Sequence, residues 1–259
     1  MRAPDVLQDE ALRRVSRADR LLMVASGKGG VGKSIISISL ASTLSEMGRK
    51  VGLLDLDVHG PSIPQVFRSE RLIKATKHGL EPLRMNGLEL MSLGYIVRDS
   101  PVPLGGEDKM SLLKMMVALT NWSHLDYLVV DLPPGTGDEM ILAIRALKRH
   151  PRSGTVLVTL PSKLSLSIVR RALDLLRDEG IRVLGIIENM SYIRCGGDIV
   201  RPFGSLALDY SSLGTQVLGS LPLEPAVEEA LASGKLPHKA SREVMEAVSA
   251  IASRIEVMM

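Results

Sequence analysis

Short apolar runs recur along the chain at residues 21–25, 51–55, 88–93, 127–131, 155–160, 182–187 and 216–221. Each is too short for a helix and has the length of a buried strand. Between them the apolar positions change period. Ile36, Leu40 and Leu44 fall three to four apart, as do Met110, Leu113 and Val117 within 107–119. Met140, Ile141, Ile144 and Leu147 repeat the pattern, and so do Ile168, Ala172 and Leu175. Gly48 and Gly180 end two of these segments where a C-terminal cap is expected, and Ser162 stands where an N-terminal cap would. Strands alternating with helices predict an α/β fold: a doubly wound, mostly parallel sheet with helices on both faces. Residues 1–19 predict an amphipathic lead-in helix through Val6, Leu7, Ala11, Leu12 and Val15, and 225–232 and 241–256 predict two closing helices. Residues 68–88, rich in charge, Gly and Pro, read as irregular surface with a small hairpin. The segment 101–106, 132–137 and 188–192 read as loops.

Composition narrows the class. Of 259 residues, 45% are hydrophobic but only 3% aromatic, so the core is aliphatic. The length suits one α/β domain spanning 1–259. A net charge of +3 is too mild to argue for nucleic acid. No apolar run reaches membrane-spanning length and the N-terminus lacks a secretory pattern. The single cysteine, Cys195, permits no intrachain disulfide. A cytoplasmic protein that needs neither membrane nor nucleic acid is expected.

Between the first run and the first helix lies Gly27-Lys28-Gly29-Gly30-Val31-Gly32-Lys33-Ser34. It fits the phosphate-loop pattern G-x-x-x-x-G-K-S/T, in the required order of strand, glycine turn and helix. Backbone N–H groups freed by glycine converge on an anion, and the helix N-terminus adds partial positive charge. Lys33 is expected on the β- and γ-phosphates of a bound nucleotide and the Ser34 hydroxyl on Mg²⁺. Asp131 ends a buried run, where a carboxylate holds Mg²⁺ through water. The Gly135 N–H, in Leu132-Pro133-Pro134-Gly135-Thr136-Gly137, is placed to approach a γ-phosphate. Asp55 and Asp57 are two apart and point to opposite faces of a strand unless the chain turns. Buried unpaired they would be costly, so one or both should meet Mg²⁺, water or Lys33. The five histidines, His59, His78, His124, His150 and His238, show no ligand spacing and read as surface or loop residues. Met110, Met115 and Met116 read as core.

With Lys28 inside it, the glycine loop resembles the deviant phosphate loop of Min- and Par-type ATPases. Asp55-Leu56-Asp57-Val58-His59-Gly60-Pro61-Ser62-Ile63-Pro64, Asp131-Leu132-Pro133-Pro134-Gly135-Thr136-Gly137-Asp138 and Glu188-Asn189-Met190-Ser191-Tyr192 narrow the resemblance to the Mrp/ApbC iron–sulfur cluster carrier ATPases. It covers roughly residues 20–235, with the blocks in the family's order. The resemblance implies a slow P-loop ATPase acting as a homodimer and delivering clusters to apo iron–sulfur proteins or a cluster scaffold. It implies that Lys28 crosses the dimer interface to the partner's nucleotide. Asp57 would position the attacking water with support from Asp55, Asp131 would hold the Mg²⁺ shell, and Asn189 would recognise adenine. Read without the family, Lys28 is a solvated lysine and Asn189 a turn residue.

One departure stands out. The family carries C-x-x-C after the Ser-Tyr stretch, and two such pairs give four thiolates to a bridging 4Fe–4S cluster. Here the run is Cys195-Gly196-Gly197-Asp198. A dimer offers two thiolates, and carboxylates are harder donors less suited to sulfur-bridged iron. Cluster binding through Cys195 and a loop cysteine in a diverged site both stay open. So do two other functions: a Min/Par-like switch that binds a membrane or DNA, and an assembly ATPase that holds no cluster. The closing helix places Val244, Val248, Ile251 and Ile255 on one face, but it lacks the basic excess of a membrane-surface helix.

Overall fold

The computed structural model of the chain describes residues 6–57, 60, 62–96, 106–204 and 208–259. In chain order the elements are α1 (Val6–Val15), β1 (Ala18–Ala25), α2 (Lys33–Glu46), β2 (Val51–Asp55), α3 (Ile63–Val66), β3 (Lys74–Thr76), β4 (Gly79–Glu81), β5 (Leu83–Met85) and β6 (Leu88–Met91). There follow α4 (Gly106–Leu119), β7 (Leu125–Asp131), α5 (Asp138–Leu147), β8 (Ser153–Thr159), α6 (Lys163–Asp178), β9 (Val183–Cys195), β10 (Asp198–Val200), β11 (Val217–Pro222), α7 (Pro225–Ala232) and α8 (Arg242–Met258). Nine strands form one sheet, in which β11, β9, β8, β1, β7, β2 and β6 pair in parallel in that order. β5 and β10 add antiparallel pairs to β6 and β9.

Period-two alternation sorts the sheet's side chains into two cores. On β1, Leu21, Met23 and Ala25 join Leu113, Ile144 and Leu173 of α4, α5 and α6. Leu22 and Val24 face the other way, with Ile36 and Leu40 of α2 and Val248 and Ile251 of α8. This two-sided burial is why the central strands read as unbroken apolar runs. The Ser162 and Gly48 caps fall where expected, and Ser241 adds a third. Ser162 Oγ accepts the Ser165 N–H at 3.2 Å, and Ser241 Oγ accepts that of Val244 at 3.3 Å. Gly48 is left-handed (φ +88°) just past α2, donating its N–H to Ser45 O.

Several expectations need correction. Residues 188–192 are not a loop: β9 runs through them, with Met190 in a left-handed kink (φ +53°) and a shift of register opposite β11. Within 68–88 the hairpin is β3–β4, but β5 is also ordered on the main sheet. Met115 is exposed, whereas Met116 is buried and Met110 intermediate. His150 and His238 are buried, not surface residues. His150 Nε2 lies 2.9 Å from Ala18 O, and His238 Nε2 lies 3.1 Å from Glu46 Oε2. His59, the first five residues of the lead-in segment and loop positions 101–105 fall outside the described residues. Among the described residues no helix is long and apolar enough to cross a membrane.

Candidate nucleotide site

Strand pairing brings three carboxyl ends side by side. Val24 stands opposite Asp131, and Asp131 opposite Asp55. α2 returns the chain from β1 to β2, leaving the slot between them for β7. The glycine loop therefore sits above the strand that ends on Asp131, outside the carboxyl edge of a parallel sheet where ligands collect.

In the loop, Gly32 is required twice over. Its φ is +82°, and an added Cβ would lie 2.2 Å from Asn189 Nδ2. At Gly27 the constraint is packing alone, since a Cβ would meet Ile168 Cγ2 of α6 at 2.6 Å. α2 begins at Lys33, directly after the turn. Lys33 is 5% exposed and Asp131 fully buried. Lys33 Nζ donates to Asp131 Oδ1 at 2.7 Å, and Ser34 Oγ donates to Asp131 Oδ2 at 2.5 Å. Ser37 Oγ, one helical turn beyond Lys33, gives Oδ1 a second donor at 2.7 Å. A carboxylate buried this deeply is tolerable because an ammonium and two hydroxyls satisfy it.

Asp55 is also buried, and its direct protein partners are a backbone N–H and a serine hydroxyl rather than Lys33. Oδ1 accepts the Asp57 N–H at 3.0 Å and Oδ2 accepts the Ser92 hydroxyl at 3.0 Å. Lys33 is spent on Asp131, so it reaches Asp55 only as a field. Burial, then the Asp131 charge, push the Asp55 carboxyl up to about 7, with Lys33 opposing. The strand ends at Asp55, so Asp57 leaves the sheet. It is half-buried, its Oδ1 accepting the Gly60 N–H at 3.4 Å.

The other expected residues are spread around this centre. Lys28 is half-buried and makes no hydrogen bond or ion pair with the described residues. The Gly135 N–H donates to Ser26 O at 2.9 Å, tying the 132–137 segment to the base of the glycine loop. Asn189, 6% exposed on β9 rather than on a turn, donates Nδ2 to Val31 O at 2.9 Å. Beyond it β9 ends at the exposed Cys195, and the Gly196-Gly197 turn sets Asp198 directly across from Cys195 in the β9–β10 hairpin. Among the described residues no group of three His, Cys, Asp or Glu side chains could hold a metal ion.

Two supporting serines escape a motif search. Ser37 was legible as the residue one turn after Lys33 on the same helix face. Ser92 follows β6 and meets Asp55 only through the strand pairing. Ser26 Oγ, buried at the base of the loop, has no hydrogen-bond partner, an orphaned polar atom beside the expected phosphates.

The profile of the NUBPL iron-transfer P-loop NTPase (ParA) family matches residues 17–256. The chain is 40% identical over 226 residues to the "Cytosolic Fe-S cluster assembly factor NUBP2" of Gallus gallus, covering 83% of each chain. It is 38% identical over 225 residues to the "Iron-sulfur cluster carrier protein" of Aquifex aeolicus, covering 84% of this chain and 61% of that one. Among solved structures, a nucleotide-binding protein of Archaeoglobus fulgidus in complex with ADP superposes with a TM-score of 0.78 at 28% identity, over 92% of this chain and 96% of that one. The Pyrococcus furiosus cell division ATPase MinD shares the fold, with a TM-score of 0.67 at 20% identity over 93% of this chain and 99% of that one. Glycine loop, strand-end carboxylate and sheet order all agree with the family match: the chain belongs to the NUBPL iron-transfer P-loop NTPases of the ParA family.

Proposed function

We propose that this chain is a Mg²⁺-dependent ATPase that works as a homodimer in the cytoplasm and serves iron–sulfur cluster assembly or delivery to apoproteins. One observation carries the ATPase reading: Lys33 and Ser34, the phosphate-binding ammonium and the metal-binding hydroxyl, share the Asp131 carboxylate. Hard oxygen donors of this kind suit Mg²⁺. Ser34 would hold it directly and Asp131 through water, and once bound it neutralises phosphate charge.

The chain's own residues do the rest. Lys33 moves from Asp131 to the β- and γ-phosphate oxygens, and the loop N–H groups stabilise charge on the transferring phosphoryl group. Asp57 orients the attacking water. Asp55, held by Ser92, fixes the Asp57 backbone by accepting its N–H. Lys28, without a partner inside its own chain's described residues, reaches the nucleotide of the second protomer. Asn189 lies beside the loop to receive adenine. Lys33→Ala is expected to lower turnover by about 100-fold or more; wild-type-like hydrolysis in that variant would refute the assignment.

The cargo half of the proposal rests on the family and on its relatives, an iron–sulfur cluster carrier and a cluster assembly factor. Asp198 facing Cys195 favours a second reading within it: an assembly ATPase that does not itself hold a four-thiolate cluster. Anaerobic reconstitution with iron and sulfide separates the two. A visible absorption band in wild type that vanishes in Cys195→Ala supports a resident cluster. Its absence from wild type together with its appearance in Asp198→Cys supports the second reading. A membrane-binding switch loses support, because Val244, Val248, Ile251 and Ile255 of α8 are buried against the chain's own core.

A further inference from the structure

At the amino ends of the strands, away from the glycine loop, a polar recess of about 410 Å³ is lined by Arg13, Arg14, Arg17, Lys77, His78 and Asn121. β1 has eight residues between the two ends, so roughly 25 Å separates the recess from the phosphate loop. The lining converges from three places: the end of α1, the β3–β4 turn and the segment before β7. The guanidiniums are crowded and share acceptors. Arg13 and Arg14 both donate to Glu10 Oε1, at 2.8 and 2.7 Å. Arg14 and Arg17 both donate to Asn121 Oδ1, at 3.1 and 3.0 Å. Arg17 also bonds Trp122 O. Gly79 lets the β3–β4 turn close over this group: its φ is +124°, and a Cβ there would lie 3.5 Å from Arg14 Nη2 and strike Leu119 O.

The helix dipole favours cations in the last turn of α1, but it does not account for Arg17 or Lys77. Four formal cations face Glu10 and Glu81, the latter already accepting from Asn121 and Thr76. Three guanidiniums held by shared acceptors leave N–H donors unspent, fixed in fork geometry. The volume is that of a small-molecule site, and acidic residues among the basic ones break any continuous track for nucleic acid. From this geometry we propose a second ligand site that takes a small, multiply charged oxyanion, a phosphoryl or polycarboxylate compound, independently of the nucleotide site.

The test is calorimetric titration of the full chain at low salt with pyrophosphate and, separately, citrate. The two arms distinguish phosphoryl from carboxylate ligands. Binding of at least one of them should persist in Lys33→Ala and weaken about tenfold or more in the double variant Arg13→Glu, Lys77→Glu, whose ATP hydrolysis stays at the wild-type level. Should charge reversal prevent folding, Arg13→Gln with Lys77→Gln makes the same comparison. Binding lost in Lys33→Ala but kept in the double variant would place the anion in the phosphate loop and overturn the proposal. Failure of wild type to bind either anion would overturn it too, as would binding of only a Glu-rich peptide or an oligonucleotide.

Discussion

Asp131 holds three donors at once, and substitutions around it should show how tightly they are coupled. Removing the Lys33 ammonium leaves a buried carboxylate with only Ser34 and Ser37. In the absence of nucleotide, Lys33→Ala should therefore lose on the order of 3 kcal/mol of stability. Adding Asp131→Asn should return most of it, because a neutral amide needs no counter-charge. Denaturant titration of the single and double variants checks this, and simple additivity of the two losses would contradict it. Gly32→Ala meets two obstacles together, a left-handed backbone and Asn189 Nδ2. Its nucleotide affinity should fall more than about tenfold, since the strain alone costs roughly 1–2 kcal/mol. Asn189→Ala in the same background relieves only the collision and should recover part of the accompanying loss of folding stability, though not of affinity, since it also removes the amide proposed to receive adenine. At this scale the sequence was informative wherever chemistry is local. Lys33, Ser34 and Asp131 were each readable from a strand end or a glycine turn. The Ser92 hydroxyl on Asp55 could not be read in the same way, because the two residues are joined by strand pairing alone.

Between α2 and α8 lies a turn over Pro237–Lys239 whose His238 is 1% exposed. Burial holds its pKa below the usual histidine value, with Glu46 opposing. Burial pushes Glu46 up in turn, but hydrogen bonds from Lys239 and His238 outweigh that and hold it down. A histidine depressed in the fold contributes stability above its unfolded pKa, near 6.5, and loses it as pH falls through the folded value. The His238 contribution to the unfolding free energy should therefore decline below pH 6.5, by at most about 1.4 kcal/mol per unit, against the opposite slope of Asp55, whose raised carboxyl takes up a proton in the fold. His238→Gln, which cannot charge, should flatten that decline between pH 6.5 and 5.5. An unchanged slope would locate the proton uptake elsewhere. Elements of this kind were legible only in part. The helices and the central strands announced themselves by period and caps. The burial of His238 depends on Glu46, 192 positions away, and that of His150 on Ala18, 132 positions away. β10 is three exposed residues that exist as a strand only because β9 is there to pair with them.

For the whole molecule, the sheet separates three tasks. Its carboxyl edge carries the phosphate loop, its amino edge carries the basic recess, and the extension of β9 carries Cys195. β9 was misread because Glu188-Asn189-Met190-Ser191-Tyr192 has no apolar run and carries Asn189, a turn residue when taken alone. Pairing with β8 and β11 overrides them. The same strand that lays Asn189 against Val31 thus continues, through the kink at Met190, to the exposed thiol, six residues or about 20 Å further on. Mg·ATP should therefore alter amide exchange across residues 193–200 in wild type, and Asn189→Ala should weaken that response; exchange there that ignores nucleotide in both proteins would contradict it. Such a rod needs no hinge or moving domain to relay an event at its root. A tilt of a few degrees where the amide grips the loop would swing the tip sideways by an ångström or more, and in the proposed homodimer such a swing would shift each Cys195 relative to the other.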